Sequence, residues 1–115
     1  MKLGLVMEFD AAHRLPGYQG KCANMHGHTY KVEIIVKGDV GADGFVMDFY
    51  KLKQILGKAL QDLDHRCLNE LISNPTAETI AEWIWQKLSQ LLGECPVTLV
   101  SLKLWEGKNK WVMID

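Results

Sequence analysis

The sequence has no long apolar run, no repeat, no low-complexity tract and no linker-like stretch. Nothing approaches the roughly 20 apolar residues that a membrane-spanning helix requires. Glu8 and Asp10 interrupt the first apolar segment, so MKLGLVMEFDAAHRL reads as an alternating strand rather than a signal peptide. An excess of one charge is lacking too. Thirteen Lys and Arg face 14 Asp and Glu, for a formal net charge of -1. That balance offers no basic field for nucleic acid and no basic tail for a membrane surface. An anionic substrate must then rely on a few local cations, with Arg14, Lys21, Arg66 and Lys108 as candidates. Cysteine is scarce, and the count of 3 is odd. Cys22, Cys67 and Cys95 are therefore expected to be reduced thiols in a cytoplasmic protein, with Cys67 and Cys95 as buried apolar groups.

What is present suffices for one folded unit. The 115 residues, 48% of them hydrophobic and 23% charged, are expected to form a single domain over 1–115. Residues 3–13 alternate, placing Leu3, Leu5, Met7, Phe9, Ala11 and His13 on one face of a strand. Residues 28–37 alternate likewise through His28, Tyr30, Val32, Ile34 and Val36. Asp48 reads as the N-cap of an amphipathic helix over 49–63, with Leu52, Ile55, Leu56, Ala59, Leu60 and Leu63 as its stripe. Thr76 reads as the cap of a second helix, with Ile80, Ile84, Leu88 and Leu91 buried and Gly93 as its stop. Residues 97–106 and 110–115 read as a closing hairpin turning at Gly107-Lys108-Asn109. The expected architecture is α+β, in the order β-β-α-α-β-β. A four-stranded antiparallel sheet carries both helices on one face.

Three of the 4 histidines fall on this first hairpin. His26 and His28 are two apart and point the same way on an extended backbone, in phase with Tyr30. His13 continues the inward phase of the partner strand. If the two strands pair through their loop, three imidazoles converge at one end of the sheet. Neutral imidazole suits zinc, and three protein ligands leave a fourth position for substrate, as a catalytic site needs. Any one of these histidines alone would more commonly be an ordinary hydrogen-bonded side chain.

Cys22 lies four residues before His26, within reach of the metal's open side. It is either a proton-transferring thiolate or a fourth ligand that closes the site. In Asp64-His65, either the carboxylate orients the imidazole for proton transfer or the pair merely caps a helix end. Glu106 falls on the phase of Val100, Leu102 and Leu104. It is either an inward carboxylate that accepts two N–H groups side by side, or a surface residue beside a turn. A hydrolase using metal-bound water is disfavoured, because no Glu stands inside the His motif.

Taken in order, Phe9-Asp10-Ala11-Ala12-His13, Cys22-x-x-x-His26-Gly27-His28, Leu63-Asp64-His65-x-x-Leu68-Asn69, Pro75-Thr76-x-Glu78 and Glu106 resemble the 6-pyruvoyltetrahydropterin synthase family. The three-residue gap between Cys22 and His26 resembles its bacterial branch, the 6-carboxytetrahydropterin synthases of queuosine biosynthesis. The resemblance implies a tunnelling fold (T-fold) and zinc on His13, His26 and His28. It implies Cys22 as base, Asp64 and His65 as a proton-relay pair, and Glu106 with Thr76 as pterin anchors. The implied substrate is 7,8-dihydroneopterin triphosphate, and the implied assembly is a homo-oligomer, a trimer or a stacked pair of trimers. The four tryptophans agree with interfaces, being more than one small core needs. Gly107 departs from the Ser or Thr expected there, and Ala77 from a second Thr found in some relatives.

Overall fold

The computed structural model describes residues 1–115. Alternation dictates the first two strands. β1 spans Lys2–His13 and β2 spans His26–Gly38. They pair antiparallel from Lys2 opposite Lys37 to His13 opposite His26, so β2 begins two residues earlier than its hydrophobic pattern suggests. A Met7, Phe9, Ala11 and His13 series faces inward, and so does Tyr30, Val32, Ile34 and Val36.

α1 spans Phe49–Leu60, and its cap is the Asp48 carboxylate, which accepts from the Tyr50 N–H at 2.9 Å. The helix stops three residues short of the expected end. Leu63 is still fully buried, but the chain leaves the helix because the His65 N–H donates to the Asp10 carbonyl at 2.6 Å. That contact opens β3, Arg66–Cys67, which runs parallel to β1 along its outer edge. The sheet therefore has five strands, in the order β3-β1-β2-β4-β5, and is not purely antiparallel. Two residues are too few to show alternation, so β3 left no trace in the hydrophobic pattern.

α2 spans Ala77–Leu92, capped by the Thr76 hydroxyl, which accepts from the Thr79 N–H at 3.2 Å. Gly93 ends it at φ 41°. Its buried stripe is Ile80, Ala81, Ile84, Leu88 and Leu92, with Leu91 and Trp83 only partly covered. β4 (Val97–Glu106) pairs with β2, and β5 (Trp111–Ile114) with β4. A bulge interrupts the β2–β4 ladder. Ile35 faces Ser101, whereas Val36 faces Leu99, leaving Val100 as the extra residue. Val100 is thus half-buried and out of the inward phase, which runs Val97, Leu99, then Leu102, Leu104 and Glu106.

Both helices cover the inward face. Leu52 and Leu56 of α1 and Ile80, Ile84 and Leu88 of α2 share one core with Val32, Ile34, Leu102 and Leu104 of the sheet. The opposite face has no such cover and exposes Val6, Trp111 and Met113. No helix is long and apolar enough to cross a membrane.

Candidate metal centre and active site

The β1–β2 register sets the imidazoles. His13 stands directly opposite His26, and Ala11 opposite His28, so His13 and His28 are diagonal neighbours on one face. Ring centroids lie 4.6 Å (His13–His26), 4.8 Å (His26–His28) and 5.2 Å (His13–His28) apart. One ring nitrogen from each falls within 4.8 Å of the other two.

The hydrogen bonds fix which nitrogens face inward. His13 Nδ1 donates to the Pro75 carbonyl and His26 Nδ1 to the Asn24 carbonyl, each at 2.7 Å. A carbonyl only accepts, so both Nδ1 atoms carry a proton and both neutral rings present an Nε2 lone pair. Those two Nε2 atoms are 3.1 Å apart. Facing lone pairs repel unless a cation lies between them. Ligands on a tetrahedral zinc, bound at about 2.05 Å, sit about 3.3 Å apart. His28 Nε2 is buried with no hydrogen-bond partner. Burial holds the His28 imidazolium pKa below its ordinary value. Glu106 opposes that shift, and His13, His26 and Lys110 reinforce it. A neutral ring with a free lone pair is what a metal requires. The donor set therefore fits zinc.

Tyr30 packs beneath the cluster, its hydroxyl 3.4 Å from His13 Nδ1. Burial, with the Glu106 carboxylate second, raises its pKa and keeps the phenol protonated. Cys22 sits in a single 3-10 turn, Lys21–Ala23, within the β1–β2 loop, and is half-buried. Its sulfur is outside the group of clustered ligand atoms, which disfavours the closed four-ligand site. Cys67 and Cys95 are not buried as expected. Both are half-buried, and Cys67 Sγ lies 3.8 Å from Asn69 Oδ1.

Glu106 ends β4 opposite Tyr30 and does face inward. Its carboxylate is 3.7 Å from His28 Nε2 and 3.9 Å from Lys110 Nζ. Thr76 joins it, because both line one cleft of about 290 Å³ together with Leu15, Glu78, Lys110 and Trp111. Gly107 has a structural reason of its own. It adopts φ 72°, where a side chain is strained, and its N–H donates to the Thr29 carbonyl at 3.1 Å.

Asp64 and His65 lie elsewhere, at the β1 edge of the sheet. Asp64 Oδ1 accepts from the Asp10 N–H at 3.0 Å and from His65 Nδ1 at 2.9 Å. The Asp10 N–H, with the His65 contact adding to it, holds the Asp64 carboxyl below the usual carboxylate range despite a small opposing effect of burial. His65 has φ 58°, making it the one non-glycine residue in the left-handed region. The Asp10 side chain belongs to the face opposite His13, as strand alternation requires. The pair is a different group from the three clustered imidazoles, although His65 and His28 both line one open cleft of about 610 Å³ along the β1 edge.

Sequence reasoning missed the supports. The carbonyls of Asn24 and Pro75 fix the imidazoles, and a backbone carbonyl leaves no side-chain signal. Asn69 clamps the residue after His13: its Oδ1 accepts from the Arg14 N–H and its Nδ2 donates to the Arg14 carbonyl, each at 2.9 Å. Its place in the Leu68-Asn69 motif was the available clue.

Fold and site together define an α+β domain with a three-imidazole centre built for a metal beside a cleft floored by a carboxylate. The 6-pyruvoyl tetrahydropterin synthase profile matches residues 3–115, and the chain belongs to that family. It is 41% identical over 108 residues to dihydroneopterin monophosphate aldolase of Pyrococcus furiosus, covering 93% of this chain and 90% of the relative. It is 33% identical to 6-carboxy-5,6,7,8-tetrahydropterin synthase of Haemophilus influenzae, covering 91% of this chain and 92% of the relative. The fold superimposes on 6-pyruvoyl tetrahydropterin synthase of Caenorhabditis elegans with a TM-score of 0.87 and 27% identity, covering 99% of this chain and 94% of that one. The architecture is accordingly the T-fold expected.

Proposed function

We propose that the chain is a zinc-dependent lyase. It converts 7,8-dihydroneopterin triphosphate and one water to 6-carboxy-5,6,7,8-tetrahydropterin, with release of acetaldehyde and triphosphate, in queuosine biosynthesis. The observation that carries the reading is the His13–His26–His28 cluster, with the tautomers of His13 and His26 fixed and one ring nitrogen of each residue turned to the others, close to Glu106. When bound there, zinc supplies Lewis-acid polarisation of the substrate's side-chain oxygens, which acidifies the carbon-bound protons beside them.

The chain's own residues do the rest. Glu106 accepts from the pterin amino group and ring N–H in a bidentate contact, and Thr76 bounds the same cleft. Cys22 takes a carbon-bound proton as thiolate. His65, oriented by Asp64, delivers a proton at a second carbon. Because Asp64 and His65 lie exposed on the β1 edge and outside the imidazole cluster, we propose that a neighbouring copy supplies them to each metal centre. The working protein is thus a homo-oligomer. The uncovered sheet face and the short edge strands β3 and β5 support that assembly.

A second reading is aldolase cleavage of a dihydroneopterin phosphate, favoured by the Pyrococcus furiosus relative. Both reactions break the bond between the first and second side-chain carbons. They differ in whether the phosphate leaves before that bond breaks. The test is incubation with 7,8-dihydroneopterin triphosphate, with products identified by mass, with and without a chelator. Acetaldehyde in step with free triphosphate supports synthase chemistry. A two-carbon aldehyde that keeps its phosphate, with 6-hydroxymethyl-dihydropterin, supports the aldolase.

A further inference from the structure

Asp10 is the hub of the Asp64–His65 pair. Its N–H donates to Asp64 Oδ1 at 3.0 Å, and its carbonyl accepts from the His65 N–H at 2.6 Å. These backbone bonds hold His65 at φ 58°, a conformation it would not choose alone. The Asp10 side chain creates a difficulty. One of its carboxylate oxygens lies within 4.8 Å of both an Asp64 oxygen and a His65 ring nitrogen. Two carboxylates thus stand beside one imidazole. An ionised carboxylate only accepts, so an Asp10 carboxylate free to turn toward the ring would compete with Asp64 for its Nδ1 proton.

Thr29 settles the competition. It sits directly opposite Asp10 in the β1–β2 ladder, and its hydroxyl donates to Asp10 Oδ1 at 2.5 Å. Strand phase places Thr29 on the same face as Asp10, opposite its neighbours His28 and Tyr30. Its carbonyl is held as well, by the Gly107 N–H. The Thr29 backbone is therefore held by both its strand partner and the turn. With Asp10 satisfied by Thr29, Asp64 takes the His65 proton at 2.9 Å.

We propose that Thr29 is a positioning residue for proton transfer: by engaging the Asp10 carboxylate, it leaves Asp64 as the sole partner of His65 Nδ1. This rests on the reading of Asp64 and His65 as the proton-relay pair. Thr29 itself touches no reacting atom.

The test uses the full-length, zinc-loaded protein and four variants: Thr29→Val, Thr29→Ser, the double change Thr29→Val with Asp10→Ala, and His65→Gln. Zinc content and oligomeric state are measured on each. Thr29→Val keeps the shape and loses the hydroxyl. Its kcat falls at least fivefold, while KM for 7,8-dihydroneopterin triphosphate stays within twofold. Thr29→Ser restores kcat to within twofold of the parent. Removing the competing carboxylate in the double variant recovers most of what Thr29→Val lost, which a merely structural role for Thr29 does not predict. Nitrogen-15 spectra of the His65 ring give a readout independent of turnover. The parent shows a single Nδ1–H shift, and Thr29→Val shows a displaced or broadened one as Asp64 and Asp10 share the proton. If Thr29→Val does not fold, Thr29→Ala takes its place against the same Ser and double-variant controls. Parental kcat together with an unchanged His65 spectrum in the hydroxyl-free variant overturns the proposal, as does a double variant no better than that variant. Unimpaired turnover in His65→Gln would instead remove the relay reading, and the His65 spectrum alone would then decide the role of Thr29.

Discussion

The imidazole cluster and the Asp64–His65 pair are built in opposite ways. His13, His26 and His28 stand on two long paired strands. Backbone carbonyls hold the rings of His13 and His26, and His13 is 1% exposed. Asp64 and His65 stand on a turn at the sheet edge, their side chains 44% and 77% exposed, with one residue in a left-handed conformation. The first site is complete within one chain and needs only its ion. The second is positioned within the chain but open to solvent, where an imidazole–carboxylate pair does little chemistry until something covers it. Under the proposed roles, turnover depends on a neighbouring copy and metal binding does not.

Changes that separate these two dependences break or sharpen the contrast. The largest effect belongs to His28→Ala. It removes one of three ligands, and turnover is expected to fall by about 10³-fold or more, with zinc lost from the purified protein. Metal analysis beside an activity assay checks both. Asp64→Asn is expected to lower kcat by about 10²- to 10⁴-fold, the range for a general acid–base group, while zinc content stays at the parental level. Zinc loss in that variant would mean the two regions are not separable. Glu106→Gln replaces an ionised acceptor with a neutral amide. A charge-assisted hydrogen bond contributes about 1.5–3 kcal/mol, so kcat/KM should drop roughly 10- to 150-fold. Steady-state kinetics read it directly.

The smallest effect is on acid stability. The Asp64 carboxyl is held below its ordinary value, chiefly by the Asp10 N–H. A depressed carboxyl contributes stability at neutral pH and loses that contribution as the pH falls through the depressed value. The difference in thermal midpoint between parent and Asp64→Asn should therefore be constant from pH 7 to about 5 and shrink below about pH 4. A difference that grows on acidification would contradict the hydrogen bonding seen at Asp64.

How much of this could be read from the sequence follows the same division. Strand periodicity exposed the imidazole cluster because His13, His26 and His28 extend apolar phases already set by Phe9, Ala11, Tyr30 and Val32. Asp48 and Thr76 announced their helices because a capping oxygen is a local feature with one partner a few residues away. Non-local features were hidden. β3 is two residues long and exists because β1 offers an open edge. The bulge at Val100 moves one residue out of phase without changing composition. The end of α1 is set by Asp10, more than 50 residues earlier in the chain, through its bonds to Asp64 and His65. Thr29 carried no signal, since a lone Thr in a strand is ordinary until its cross-strand partner is known.

One metal centre on His13, His26 and His28 is proposed to perform carboxytetrahydropterin chemistry. The most direct measurement is turnover of 7,8-dihydroneopterin triphosphate by the zinc-loaded protein, with all products resolved by mass and a chelated sample in parallel. The expected products are 6-carboxy-5,6,7,8-tetrahydropterin, acetaldehyde and triphosphate in equal amounts, all abolished by the chelator and restored by zinc. Equal product formation in the metal-free protein, or a two-carbon fragment that retains its phosphate, would contradict that role.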